Sequence, residues 1–365
     1  MRKKIFVFLL SVLAVFLLTA CGKEAGVPPS GGQAIEIVDM SGRKVMVPGN
    51  INKVYATSPN GSILIYTLAP DKLIGLSGTP TGGAVKYISD QYSKLPVLGG
   101  GEGQTANREN IIQAKPDIII AAMMADIDDA MIMANADRLQ KQTGIPVVVI
   151  DGKFANTDKT YEFIGKLLNE QDRARELGYY FRETINNIGE TVGKIPAEKL
   201  VRVYYAEGPS GLATDPAGSR HTEVLDFVRG INVAQVQTGL NSVPATVSLE
   251  RVIYWKPDVI IANRNNAFDS WGGFRGYVGN NDDWKNLNAV NSGKIYEIPA
   301  APFNWFDRPP SVARIIGIKW LANLLYPDFV KLDIKAATKE FYEKFYRYKL
   351  SDSEVDELLQ NSMRK

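Results

Sequence analysis

The thirteen residues from Glu109 to Ala121 return from Glu250 to Ala262, 141 positions later, and this echo constrains the fold more than any other feature of the chain. "ENIIQAKPDIIIA" and "ERVIYWKPDVIIA" share eight identities and two Ile-for-Val exchanges, with Lys115-Pro116-Asp117 falling on Lys256-Pro257-Asp258. A period of this length exceeds the ~20–50 residues of a solenoid repeat. It points to two lobes built on one plan. Each copy reads as a short helix opening on a glutamate, a proline that stops it, and an apolar run without alternation. Such runs suit strands buried on both faces of a parallel sheet.

The neighbouring segments extend that reading. "AIEIVDMSGRKVMVP" alternates apolar and polar residues about Ser41-Gly42 and predicts a β-hairpin. "KVYATS" and "KLIGLS" are strand-like, "ILIYTLA" is helical, Asn107 is placed to cap the first repeated helix, and a helix from about Asp126 to Thr143 precedes the strand "PVVVI". In the second half, "VRVYYAE", "DVIIAN" and "KIYEIP" read as strands, and "SVARIIGIKWLANLLY" as a long helix. Between them, residues 157–195 carry helical spacing and strong helix formers, with Pro absent until position 196, so one long helix is expected to join the lobes.

The chain start carries its own signal. Arg2, Lys3 and Lys4 precede an apolar run from Ile5 to Leu18, shorter than the ~20 residues of a membrane span, and then "LTAC" ending at Cys21. This predicts a secretory signal peptide over 1–20, with Cys21, the single cysteine, at the cleavage point. Residues 21–34 are Gly- and Pro-rich and read as a tether. The expected organisation is then an N-terminal α/β lobe at 35–155, an inter-lobe helix at 156–196, and a C-terminal α/β lobe with terminal helices at 197–365.

A net charge of +2 gives no field for nucleic acid. With one histidine, one cysteine, and no GxxxxGK[ST], HExxH or GxSxG, the chain offers little to an enzyme. A non-enzymatic binding protein is expected, with a surface-exposed adhesive or structural lipoprotein as the alternative from another class.

Taken in order, the Cys21 motif, "DMSGRKVMVP", the paired "E-x6-PD" phrases, "GSRHTEVLDF" and "KIYEIP…WFDRPPS…WLANLLYP" resemble the solute-binding lipoproteins of ABC importers for iron complexes and vitamin B12. The resemblance runs from about Ile35 to beyond Tyr326. It implies two Rossmann-like α/β lobes joined by one long rigid helix, the type III solute-binding architecture, acting as a monomer. It also implies lipidation of Cys21, anchorage on the extracytoplasmic face of the membrane, and docking of Glu109 and Glu250 on the two halves of an ABC permease. No intrinsic cofactor is expected, because metal would arrive inside the ligand.

Several residues are candidates for ligand contact. Trp305, Phe306 and Arg308 lie in "NWFDRPPS", the stretch matching the family's cleft rim. Trp271, Arg220, Arg264 and Arg275 fall after strands or in loops on the presumed cleft side, the usual place for ligands of α/β sheets. His221 is a candidate metal ligand or first-turn helix residue, with Ser219 as N-cap. Asn60 belongs to the "TSPNGS" loop, and Glu102 and Gln104 occupy the region where the B12-binding pattern has a tryptophan. That departure favours a ferric siderophore over cobalamin. Haem, with Tyr55, Tyr205 or Tyr277 as axial ligand, and a small metal chelate or molybdate-like oxyanion remain alternatives.

Overall fold

A computed structural model describes residues 33–79, 85–99, 108–124, 128–237, 243–264 and 266–364. Cys21, Glu102, Gln104 and Asn107 lie outside the described residues. The expected hairpin forms from Ala34–Val38 and Lys44–Pro48, paired antiparallel with Val38 opposite Lys44. Its turn is held by buried Asp39, whose carboxylate accepts from the backbone N–H groups of Ser41 and Arg43. The other oxygen of Asp39 takes Val149 N–H at 3.0 Å and fastens the hairpin to the first lobe.

That lobe contains a parallel sheet of Val54–Ala56, Ile118–Met123 and Val147–Asp151, in that spatial order. The second lobe has a four-stranded parallel sheet in which Ile295–Glu297, Val259–Ala262, Arg202–Ala206 and Ile231–Asn232 lie side by side. The plans coincide, since Val54 also bridges Leu73 on its outer side, where Arg202–Ala206 meets Ile231–Asn232. "KLIGLS" therefore contributes isolated bridges at Leu73 and Leu76 where a full strand was expected. All six residues of Ile118–Met123 and all four of Val259–Ala262 are buried, as their uninterrupted apolar character requires.

The repeated phrase occupies the same joint in each sheet. The helices Arg108–Ala114 and Leu249–Trp255 end at Lys115 and Lys256, followed by proline and the central strand. Asp117 accepts from the backbone N–H groups of Asn52 and Lys53, and Asp258 from that of Arg202. Each aspartate ties the central strand to the start of its neighbour.

The expected long helix between the lobes is Gln171–Gly193, shorter than the span 156–196, because a separate helix, Thr157–Leu168, precedes it and the two are parted where Asn169 turns left-handed at φ 58°. Asn tolerates that conformation better than most residues. A Cβ on Gly165 would lie 2.2 Å from the Ala174 Cβ, so the pair can fold back closely only because residue 165 is glycine. The second helix, roughly 35 Å long at 1.5 Å per residue, buries Ala174, Leu177, Phe181, Ile188 and Val192 along one face. Its far end is capped from the second lobe, where Arg229 donates to the carbonyls of Val192, Gly193 and Ile195.

The end of the chain, expected with the second lobe at 197–365, also touches the first. Helix Ile334–Phe341 runs into the turn Tyr342–Tyr346, which meets the first lobe where the Tyr66 hydroxyl donates to the Tyr346 carbonyl at 3.4 Å, and Glu357 lies on the last helix, Asp352–Leu358. Arg347 donates to the carbonyls of Tyr66 and Leu68, closing the helix Pro59–Leu68, and Lys86 pairs with Glu357 at 2.7 Å. One apolar core consequently runs through both lobes, from Val54 and Ile120 to Val203, Ile261 and Phe345. Among the described residues no helix is long and apolar enough to cross a membrane.

Candidate functional site

Between the lobes lies a cavity of about 490 Å³. The first lobe supplies Pro59, Ser62 and Ile63 from the start of a helix, Leu76 to Thr79 from the chain beyond the bridged strand, and Tyr92. The second supplies Asn263, Arg264 and Asn266 beyond the end of the central strand, and Ala300, Pro302, Phe303, Asn304, Arg308 and Pro309 beyond the edge strand. This is where ligands of parallel α/β sheets are met, past the carboxyl ends of the strands. Ser58 caps the contributing helix, its hydroxyl accepting from Gly61 N–H at 3.3 Å.

Among the described residues lining the cavity, the charged ones are Arg264 and Arg308. Arg264 is largely exposed and lies 3.8 Å from Asp269. Ser77, also on the wall, has a buried hydroxyl with no partner among the described residues. Asn304 shapes the opposite wall, donating to Asn263 and accepting the N–H groups of Phe306 and Asp307. Tyr92 meets Phe303 edge-on across the lobe boundary, at 5.8 Å between ring centres.

Behind Arg308 is a buried acidic nest. Its Nε donates to Glu207 at 2.6 Å, and an Nη2 donates to Asp215 at 2.7 Å. Asp307 lies 3.4 Å from the same Nε. The three carboxyls are at most 2 % exposed. Burial and the adjacent Glu207 push the Asp215 carboxyl up to about 7, and burial raises that of Asp307 despite its bond to His221.

His221 sits behind this cluster. Its Nδ1 is 2.5 Å from Asp307, and its Nε2 accepts from Arg220 at 3.3 Å, so these partners assign the ring proton to Nδ1. Ligand atoms of Asp215, His221 and Asp307 lie within 4.8 Å of one another, a spacing that a metal ion can span. The guanidinium of Arg308 already serves these acids as their cation, and both nitrogens of His221 are engaged. The residues as arranged do not fit a resident metal.

The structure therefore sorts the expected contacts. Arg308 and Arg264 are brought together at the cavity. Trp305 and Phe306 are not, because both are fully buried in the core. Trp305 Nε1 donates to Tyr342, and Phe306 lies against Tyr205 with ring centres 4.9 Å apart. Asn60 turns away and donates to the Gly152 carbonyl at 3.3 Å. His221 precedes its helix, which starts at Glu223, and is buried beneath the wall; Ser219 accepts from His221 N–H and caps a turn instead.

Arg220 lies against His221, while Trp271 and Arg275 lie outside the cavity lining, Trp271 half-exposed against Tyr277. Tyr55 and Tyr205 are fully buried, Tyr55 donating to the Gly99 carbonyl, which removes them as ligands reaching into the cavity. Tyr277 packs on Phe268. Ser62, Ser77, Tyr92, Asn263 and Asn304 escaped the sequence reading, and only their position after strand-like runs could have marked them. Glu109 and Glu250 are both exposed, each at the start of its helix.

Comparison with known proteins agrees with this geometry. The chain is 26 % identical over 340 residues to the molybdate-binding protein MolA of Haemophilus influenzae, covering 85 % of this chain and 90 % of that one. It is 24 % identical over 260 residues to the Fe(3+)-citrate-binding protein YfmC of Bacillus subtilis, covering 66 % and 73 %. An ABC transporter solute-binding protein from Sulfurospirillum deleyianum superposes with a TM-score of 0.80 at 29 % identity, covering 89 % of this chain and 99 % of that one. Residues 66–302 match the profile of the periplasmic binding proteins. The chain belongs to that family, and it is a solute-binding component of an ABC transporter.

Proposed function

We propose that the protein captures an anionic metal chelate, foremost a ferric siderophore or a smaller ferric carboxylate complex, and delivers it to its permease. The observation that carries this reading is the charge of the cavity wall: both charged residues described there, Arg264 and Arg308, are cationic. A guanidinium presents a planar fork that suits carboxylate and catecholate oxygens. A volume of about 490 Å³ falls within the ~300–1,000 Å³ of small-molecule sites. It leaves room for a chelate well beyond one tetrahedral oxyanion. The cavity lining described contains no tryptophan, which disfavours the stacking that cobalamin or haem would use.

A molybdate-like oxyanion is the second reading, supported by the relative that spans 85 % of the chain. In either case metal enters within the ligand. Exposed Glu109 and Glu250, one on each lobe, are the proposed docking points for the two permease halves, since paired charges fix register and steer encounter. Cys21 is the proposed lipid attachment that holds the protein at the extracytoplasmic membrane face. Titration calorimetry with ferric citrate, ferric enterobactin, molybdate and iron-free citrate tests the assignment. Saturable binding of one ferric chelate, weakened at least tenfold in Arg308→Ala, is the expected result. Binding of molybdate alone would overturn the chelate in favour of the oxyanion.

A further inference from the structure

Arg308 faces the cavity with only part of its surface, and the rest is enclosed by acids whose charges it cannot balance alone. Glu207 gives one oxygen to Arg308, and Asp215 does the same. The second oxygen of each, Glu207 Oε2 and Asp215 Oδ1, is buried with no donor among the described residues. The two carboxyls are within hydrogen-bonding reach of each other. Two facing acceptors in a dry site repel, and leaving either unpaired is costly. One proton between them supplies the missing donor and removes one negative charge.

We infer that Glu207 and Asp215 share a proton and act together as positioning residues for Arg308, so that capture of an anion there is coupled to proton uptake from solvent. This rests on Arg308 as the anion contact proposed above.

The other ionisable groups around the pair are consistent with that charge state. Asp307 and Tyr205 face it from the neighbouring loop and strand, with Tyr205 pushed up by burial and by Glu207. His221 and Arg220 stand behind Asp307 and Asp215. Arg314, also near Asp307, is paired with Glu223. An arriving anion adds negative charge beside the pair and raises its hold on the proton. Around and above the range where Asp215 titrates, near 7, binding then draws in a proton, and affinity falls as pH rises by up to about tenfold per pH unit.

Two measurements on the purified protein separate this inference from the site assignment beneath it. Infrared difference spectra without ligand, wild type against Glu207→Gln and Asp215→Asn, should show a buried protonated-carboxyl band at pH 6 that fades by pH 8.5 and is missing in both variants. Its absence from wild type overturns the shared proton, whether or not any ligand binds. Calorimetry with ferric citrate at pH 8, in buffers of unequal ionisation heat, should show wild type taking up more protons than Glu207→Gln. The probe's own protonation cancels in that difference.

Glu207→Gln carries a permanent N–H donor in place of the proton, so it should bind with a flatter pH profile, whereas Glu207→Ala should lose affinity at least tenfold. Equal proton counts in wild type and Glu207→Gln, with binding intact, overturn the coupling and leave Arg308 as the contact. Unchanged affinity in Arg308→Ala overturns both.

Discussion

Lys115 and Lys256 hold the same left-handed backbone conformation, at φ 50° and 49°, each between the last residue of a helix and a proline. Neither is glycine, so each site bears a conformational cost of about 1 kcal/mol or more. That cost is accepted twice because the turn sets the following aspartate against the neighbouring strand. The Asp117 carboxylate receives two backbone N–H groups, at 2.7 and 2.9 Å, while Asp258 receives one at 3.0 Å. Asp117→Ala should therefore destabilise by roughly 1–3 kcal/mol, and by more than Asp258→Ala. Urea denaturation of the two variants checks the order, and equal losses would contradict it.

Gly317 offers a sharper steric test. A Cβ at this position would stand 1.9 Å from the Trp305 carbonyl oxygen, well inside any tolerable contact. The helix Arg314–Leu325 is pressed there against the backbone that carries Asp307 and Arg308. Gly317→Ala should cost about 1–3 kcal/mol as an overpacked site. It should also weaken ligand binding, because the cavity wall must shift. Full stability by calorimetric melting would show that the helix can slide away.

The two-lobe plan was legible because burial on both sheet faces writes itself into composition as unbroken apolar runs. The joint was legible because Lys-Pro-Asp recurs in both lobes. Periodicity could not show that Asn169 breaks the connecting helix, since left-handed Asn and helical Asn look alike in sequence. The acidic nest was hidden for a different reason. Glu207 and Asp215 flank one turn, closed where Glu207 and Ala213 exchange backbone hydrogen bonds, but Asp307 joins them from a distant segment, and sequence spacing carries no record of that convergence. Trp305 and Phe306 misled because an aromatic beside a cleft arginine reads the same whether it lines the wall or supports it from the core.

Arg308 should matter to folding as well as binding. In Arg308→Met, Glu207 and Asp215 keep their burial but lose their bonded cation. Breaking a buried ion pair from one side costs about 3–5 kcal/mol. The loss should be smaller at pH 5, where the acids can be neutralised by protons, than at pH 8. Denaturation of variant and wild type at both values would reveal it, and a pH-independent difference would argue that the cluster is held by packing alone.

Glu109 and Glu250 should separate transport from capture. Each is exposed at a helix start, and the Ser248 hydroxyl and its own backbone N–H hold the Glu250 carboxyl below its usual range. Reversing both to arginine should leave ligand affinity within about twofold, since neither lines the cavity. Permease ATPase stimulation in proteoliposomes should fall at least tenfold. Undiminished stimulation would remove these residues from the docking face.

The pH dependence of stability follows from buried acids. Folded Asp215 keeps its proton up to about pH 7, against an ordinary value of 3.8, because burial and Glu207 penalise its charge. Burial shifts Asp226, Glu297 and Asp307 the same way. Between roughly pH 4 and 7 the folded protein therefore binds more protons than the unfolded chain, and its stability falls as pH rises. Lysine-paired surface acids such as Glu162 and Asp352 are shifted down, so their opposing effect is confined to more acidic solution and is screened by salt. Urea midpoints should accordingly drop from pH 5 to pH 8 in wild type. Asp215→Asn, which cannot ionise there, should flatten that fall, and an unchanged slope in the variant would assign the titration to the other buried acids.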